Sequence, residues 1–196
     1  AKNAVEKSRQ AQRGPQPVPA YGNQLQDFAL PGVAAEGRIT LSWSALTVNF
    51  DDGDAIELRR PSFEISNLGY GTLPRNTEVS ARIAPPMIGL GLLAAIDENT
   101  LLTWSDPEDL NGDGISGKIN QVKVIGHEAL SSGRFGWKAG QPNLAQQNAA
   151  ALHGDMGLSS RLFPNQHCEA AQEQCLALIS GGSPEVSDKI LDAITF

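Results

Sequence analysis

A twelve-residue stretch, 109–120, carries the pattern in this chain that most resembles a metal-binding loop. Calcium prefers about six to eight oxygen ligands, which a tight loop can supply from alternate side chains, a backbone carbonyl and a glycine that permits the turn. The predicted ligands are Asp109, Asn111, Asp113, the carbonyl of Ile115, and Asn120. Asn120 stands where such loops usually have glutamate, which lowers the ligand charge. The alternative is an ordinary turn stabilised by Asp and Asn side chains.

Two cysteines, Cys168 and Cys175, leave two interpretations open. On one continuous helix they would lie roughly 10 Å apart along the axis, too far for a disulfide, so a bridge requires a bend between them. A bridge would indicate an oxidising compartment, whereas free thiols would indicate two small core residues. We favour the bridge. Thiol–disulfide catalysis is the weaker hypothesis, because the spacing is not C-x-x-C.

The N-terminal half is predicted to be built on a β-hairpin. Residues 1–20 are polar and proline-rich and are expected to form a tail. Apolar residues alternate with polar ones across 39–58, around an aspartate-rich turn. The alternation changes phase near Ala45, which predicts a β-bulge there, and Phe63 with Ile65 could add a third strand.

The remaining chain is predicted to contain short helices and a second hairpin. The apolar run at 87–96 predicts a short buried helix, and 121–137 predicts a hairpin that turns at 131–133. The alanine-rich segment 143–155 predicts a helix that ends at Gly154 or at Gly157.

A last helix is predicted to begin at Ser183, with Pro184 in its first turn. Its apolar face would contain Val186, Ile190, Ala193 and Ile194. The chain ends on Phe196 without a closing glycine, so we expect the natural protein to continue. Together these elements indicate an α+β fold of β-hairpins and short helices.

Charge and hydropathy exclude some functions. The formal net charge is −7 and the isoelectric point is near 4.9, so the field of the molecule repels nucleic acid. The longest apolar run is far shorter than the roughly 20 residues that cross a bilayer, so the chain is not expected to span a membrane.

Several blocks of sequence, from about residue 21 onward, resemble the di-haem oxidoreductase family, also called thiol oxidoreductases, whose members are similar to di-haem cytochrome c peroxidases. The blocks are YGNQLQDFALPGVAAEG, ELRRPSFEISNLGYGTL, RIAPPMIGLGLLAAI, DPEDLNGDGISGKIN, GRFGWKAGQP and HGDMGLSS. The resemblance implies that residues 21–196 are the central region of a c-type cytochrome-like di-haem protein, with a hairpin part at about 37–71 and a helical and loop part at about 82–196.

The resemblance also implies a periplasmic protein with two haem c groups, attached through C-x-x-C-H motifs before and after the matched region. This chain has no such motif, so the fragment itself is expected to be haem-free. The family usually has glutamate after the GLGLL block, where this chain has Ala94, so an acid–base role is not carried over to that position. Family members have cysteines in the stretch that contains Cys168 and Cys175, which supports their pairing.

Only a few residues have the side chains that haem contacts require. The candidate axial ligands are His127, His153, His167, Met87, Met156 and Tyr70, and we interpret most as bystanders. Core packing is the favoured interpretation for Met87 and Met156, although Met156 remains a candidate neighbour of haem. His127 and His167 are expected to be exposed.

Trp137 and Arg134 are further candidates for the haem environment. Trp137 could serve an electron path, although an ordinary core tryptophan with a paired N–H is slightly favoured. Arg134 could pair with a haem propionate, since a guanidinium suits carboxylates.

The leading functional hypothesis is thus a region of a periplasmic di-haem oxidoreductase with peroxidase-like electron transfer. Its partners would be a redox protein or a small-molecule oxidant, and its cofactors haem c, in the full-length protein, and calcium. The alternative is a non-catalytic, calcium-stabilised binding module.

Overall fold

A computed structural model describes residues 16–196. Two small antiparallel sheets and several short helices make up this part of the chain, which confirms the predicted α+β class. The chain divides into two compact units. Among the described residues, unit 1 contains 16–82 and 168–178, and unit 2 contains 83–167 and 179–196. No helix in the described range is long and apolar enough to cross a membrane.

Unit 1 contains the predicted hairpin, formed by β1 (Arg38–Asn49) and β2 (Ala55–Ser66). The strands pair without interruption, so the predicted bulge near Ala45 is wrong. Phe63 and Ile65 belong to β2 and form no third strand. Successive residues of a strand point to opposite faces. Where the apolar alternation changes phase in an uninterrupted ladder, the apolar side chains therefore switch from one face of the hairpin to the other.

The hairpin therefore carries one apolar patch on each face. Near its base, Leu41 pairs with Phe63, whereas near its tip Leu46 pairs with Leu58 on the opposite face. The Arg59 guanidinium lies 5.0 Å from the centre of the Trp43 ring, in the range of a cation–π contact.

The rest of unit 1 ties residues before the hairpin to the disulfide segment. That segment contains the short helix α4 (Glu173–Leu176). Buried Gln172 donates through Nε2 to Glu36 Oε1 at 2.5 Å and to the Ala20 carbonyl at 3.2 Å. The first bond satisfies a buried carboxylate, and both bonds join segments more than 130 residues apart in sequence. Of the predicted tail, residues 1–15 lie outside the described residues, and Val18 forms a bridge with Gly22.

Besides a 3-10 helix at Trp137–Ala139, unit 2 contains four α-helices and a small sheet. They are α1 (Leu90–Ala95), α2 (Glu98–Thr103), β3 (Gln121–Lys123), β4 (Leu130–Ser132), α3 (Leu144–Met156) and α5 (Asp188–Thr195). The second hairpin is confirmed, but its turn lies between residues 123 and 130 and not at 131–133. No residue of α1 is buried, so the predicted buried helix is exposed.

Two helix ends in unit 2 follow from local chemistry. The Asn143 side chain caps α3 by accepting from Gln146 N–H at 2.9 Å, and Gly157 ends it with a positive φ of 69°. The last helix is capped by Ser187 and not by Ser183, so that prediction is wrong. Val186 lies before the helix, and its N–H donates to the Ser159 carbonyl.

The core of unit 2 lies between α3 and α5. Ala149, Val186 and Leu191 are buried there, with Leu152, Leu158, Leu162 and Phe163 partly buried around them. Ile190 and Ile194 were expected on the buried face but are 51% and 44% exposed. Leu191, the residue after Ile190, occupies the buried face of α5 instead.

Candidate functional site

A strained turn in unit 2 presents Trp137. This Trp137 turn, residues 136–140, has Lys138 at φ 57° and Ala139 at φ 49°, a left-handed conformation that is costly for residues with a side chain. Such strain persists only where the surroundings impose it, and it concentrates at functional sites. The turn is thus a candidate for function.

Two residues hold the Trp137 turn in place. Asn120 Nδ2 donates to the carbonyls of Lys138 at 3.2 Å and Ala139 at 3.1 Å. A Cβ atom on Gly133 would lie 1.8 Å from the Ala139 carbonyl oxygen, so only glycine permits this approach. Sequence reasoning missed both roles, although the Gly133 and Gly136 pair around Phe135 was a signal of close backbone approach.

Trp137 itself is 52% exposed, so the favoured interpretation as a core tryptophan is wrong. Its indole N–H is paired as expected, since Nε1 donates to the Ile83 carbonyl at 3.0 Å. That carbonyl begins an apolar segment at 83–92. Ile83, Met87, Ile88 and Leu92 are 58% to 95% exposed, and Met87 is therefore not a core residue.

Arg134 lies against the C-terminal end of α1. Its Nη1 donates to the carbonyls of Ala94 at 3.1 Å and of Ile96, where a cation offsets the negative end of the helix dipole. Arg134 thus stabilises the C-terminal end of α1. The propionate-binding role predicted for Arg134 stays a prediction.

A shallow pocket of about 180 Å³ lies beside this contact. Ala94, Glu98, Ser132 and Asn143 are among the residues that line it. The Ser132 hydroxyl donates to Glu98 Oε1 at 2.5 Å. The pocket therefore has a carboxylate, which Glu98 of α2 supplies. Ala94, where the family usually has glutamate, supplies none.

The predicted calcium loop is closed by a bridge between Asp106 and Gly117. Its side chains fold back onto its own backbone. Asp109 accepts from Gly114 N–H at 3.1 Å, and Asp113 Oδ1 accepts from Ile115 N–H at 2.8 Å. These bonds hold oxygens inside the loop, which both a calcium site and an Asx-stabilised turn require.

Two further observations bear on that loop. Asp106, which was not among the predicted ligands, accepts from Leu110 N–H at 2.8 Å and braces the entry to the loop. Asn120, the predicted twelfth ligand, directs its amide nitrogen to the Trp137 turn. Among the described residues, no group of three or more His, Cys, Asp or Glu side chains is arranged to hold a metal. Calcium binding therefore stays a prediction.

The Cys168–Cys175 disulfide is present, with an S–S distance of 1.98 Å and a Cα–Cα distance of 5.8 Å. This confirms the predicted pairing and the bend it requires. The two cysteines are the only ones in the sequence, and neither is followed by histidine. The residues of this chain therefore do not fit covalent attachment of haem c, and no catalytic step is assigned through haem.

The candidate axial ligands are dispersed. His127 is exposed, as predicted. His167 was expected to be exposed but is half-buried against His153, with ring centres 4.5 Å apart. Met156 is 66% exposed at the end of α3, so its interpretation as a core residue is wrong.

The pKa of His153 is lowered. Burial of the ring is the main cause and the nearby His167 contributes, while the hydrogen bond to the Asn165 carbonyl opposes the shift. The neutral form of the His153 ring is therefore favoured.

Comparison with protein-family models identifies one relationship. The model described as "Di-haem oxidoreductase, putative peroxidase" matches residues 2–177 of the 196-residue chain. No curated protein and no solved structure shows significant similarity to it. The match covers most of both units, including the Trp137 turn, the acidic loop and the disulfide. On this evidence the chain belongs to the di-haem oxidoreductase family.

Proposed function

We propose that this chain is a haem-free region of a periplasmic di-haem c-type oxidoreductase with peroxidase-like electron transfer. Family membership implies a di-haem, peroxidase-like oxidoreductase. The observation that supports the finer proposal is the strained Trp137 turn, whose half-exposed indole is hydrogen-bonded to the exposed apolar segment 83–92. Exposed apolar surface of this kind marks a binding surface.

The surface suits a haem attached elsewhere in the complete protein. Haem is a flat, largely apolar group, and an aromatic side chain beside it can take part in an electron path. The residues of this chain would cover the cofactor and exclude water, and the cofactor would supply the redox chemistry. A redox protein or a small-molecule oxidant would be the partner.

The disulfide supports the periplasmic part of the proposal. Disulfides persist in oxidising compartments, and both cysteines of this chain are paired. A binding module that has lost its haems is the alternative function, and the missing C-x-x-C-H motif favours it. The experiment below separates the two.

Turnover of hydrogen peroxide with a reduced cytochrome as electron donor, measured on the complete gene product, tests the proposal. We expect activity that falls at least about tenfold in Trp137→Phe, because replacing the indole changes both its hydrogen bond and the electron path. Trp104→Phe is the matched control, since Trp104 is an exposed tryptophan of the same unit. Absence of turnover, or an equal loss in both variants, would contradict the proposal.

Calcium binding by the acidic loop is a second part of the proposal. The loop already holds the Asp109, Asn111 and Asp113 side chains in a closed turn, so little ordering is needed on binding. If free calcium exceeds Kd about 100-fold, binding adds roughly 2.7 kcal/mol to the free energy of unfolding. The melting temperature should rise with calcium, and Asp109→Asn or Asp113→Asn should remove most of the rise. Glu128→Gln, outside the loop, should respond like the wild type. A melting temperature that calcium and chelator leave unchanged would contradict this part.

A further inference from the structure

Two of the three histidines of the chain meet in unit 2, away from the Trp137 turn and the acidic loop. His153 lies in the last turns of α3, and His167 lies in the loop that follows that helix. Their ring centres are 4.5 Å apart, with the planes tilted by 48°. Phe163 stacks on His153, with ring centres 5.0 Å apart and planes 20° from parallel. The pair is therefore held between a helix and an ordered loop.

One hydrogen bond determines which nitrogen of His153 is available. His153 Nε2 lies 3.1 Å from the Asn165 carbonyl oxygen. A carbonyl can only accept, so Nε2 carries the proton and Nδ1 keeps its lone pair. Metal-bound histidines commonly donate their other N–H to a backbone carbonyl, which fixes the ring and makes it a better ligand.

The spacing of the rings also suits a shared ion. A zinc–nitrogen bond of about 2.0–2.1 Å places the ring centre roughly 3.2 Å from the metal. Two rings on one ion at bond angles between about 90° and 110° then have centres roughly 4.5–5.2 Å apart. The observed 4.5 Å lies at the lower end of this range.

We propose that His153 and His167 bind one divalent transition-metal ion of the zinc class, each through a ring nitrogen. Water would fill the other coordination positions, since imidazole suits zinc, copper and nickel and two protein ligands leave the site open. The site is independent of the haem and calcium assignments above, because it uses neither the Trp137 turn nor the acidic loop.

Titration calorimetry with Zn²⁺ on metal-stripped protein tests this site at about pH 7.5, where imidazole is mostly neutral. Excess calcium in the buffer keeps oxygen-rich sites from taking up zinc. We expect one zinc per chain, with binding at least about tenfold weaker in His153→Gln and in His167→Gln. His127→Gln is the matched control, because His127 is exposed in the turn between β3 and β4. Absence of binding, or equal weakening in all three variants, would overturn the proposal.

A measurement on the wild-type protein removes any dependence on how the variants fold. Imidazole ¹⁵N resonances should shift on zinc addition for His153 and His167 and stay unchanged for His127. A shift confined to His127, or no shift in the pair, would overturn the site even if calorimetry detected bound zinc.

Discussion

Glu185 joins two loops of unit 2 through one carboxylate. It accepts from the backbone N–H and the hydroxyl of Ser159, each at 3.0 Å, and from the N–H of Gly181 at 3.0 Å. The Ser159 N–H is the largest cause of its lowered pKa, followed by the Gly181 N–H and the Ser159 hydroxyl, while burial opposes the shift. The ionised form is therefore favoured by the folded state.

This shift predicts a pH-dependent contribution to stability. Because the pKa of Glu185 is lower in the folded state, its contribution is present above the unfolded pKa of roughly 4.3 and is lost as pH falls through the folded value. Glu185→Gln should lower the free energy of unfolding by about 1 kcal/mol at neutral pH, a value reduced for solvent screening. Urea unfolding near pH 7 and near pH 3 should show a larger difference at the higher pH. An equal difference at both values would contradict the assignment, and Glu128→Gln serves as control.

At the level of elements, the Trp137 turn depends on the close approach of Gly133 to the Ala139 carbonyl. A methyl group on Gly133 would overlap the Ala139 carbonyl. Gly133→Ala should therefore displace the turn and lower the free energy of unfolding by about 3 kcal/mol. Gly140→Ala is the matched control, since its Cβ would lie 3.4 Å from the nearest atom, the Trp137 carbonyl oxygen, and its φ is −80°.

Tryptophan ¹⁹F resonances would report the displacement directly, because the protein has three tryptophans that can be labelled. One resonance should move in Gly133→Ala and none in Gly140→Ala. Identical spectra and stabilities for the two variants would mean that the turn does not depend on this close approach.

The disulfide segment supports a further prediction. A bridge between Cys168 and Cys175 closes a short loop, and the loss of loop-closure entropy in the unfolded chain stabilises the fold by about 2–3 kcal/mol. The double variant Cys168→Ser, Cys175→Ser should lose about this much stability in urea unfolding. Adding reductant should destabilise the wild type and leave the double variant unaffected; equal sensitivity of the two proteins would contradict the prediction.

The elements show where sequence reasoning succeeds and where it fails. The hairpin and α3 were predicted because period-two alternation, an alanine-rich run and a glycine stop are local signals. A phase change in the alternation has two physical solutions, a bulge or a change of apolar face, and sequence alone does not distinguish them. The Lys138 and Ala139 conformations were not predicted, because Asn120 and Gly133 impose them from elsewhere in the chain.

At the candidate sites, too, local contacts could be predicted from the sequence and long-range contacts could not. Asp109, Asn111 and Asp113 form a closed loop because their bonds span only a few residues. The meeting of His153 and His167 depends on how the loop after α3 returns to the helix. The sequence spacing of 14 residues gives no indication of that return.

For the whole molecule, family membership indicates haem, whereas this chain's own residues offer no covalent attachment point for it. The family is di-haem, but both cysteines of the chain are used in one disulfide. The chain nevertheless exposes apolar segment 83–92 and a tryptophan held by a strained turn. Both facts agree with the proposal that this region covers haems of the complete protein.

Haem content of the complete gene product, measured by pyridine haemochrome absorbance after production with cytochrome c maturation and export, tests this account most directly. The account predicts two covalently bound c-type haems per polypeptide, both retained when Cys168 and Cys175 are replaced by serine. Limited proteolysis should leave no haem on peptides from residues 1–196, because their cysteines are paired with each other. A complete gene product without covalent haem, or haem attached through Cys168 or Cys175, would contradict it.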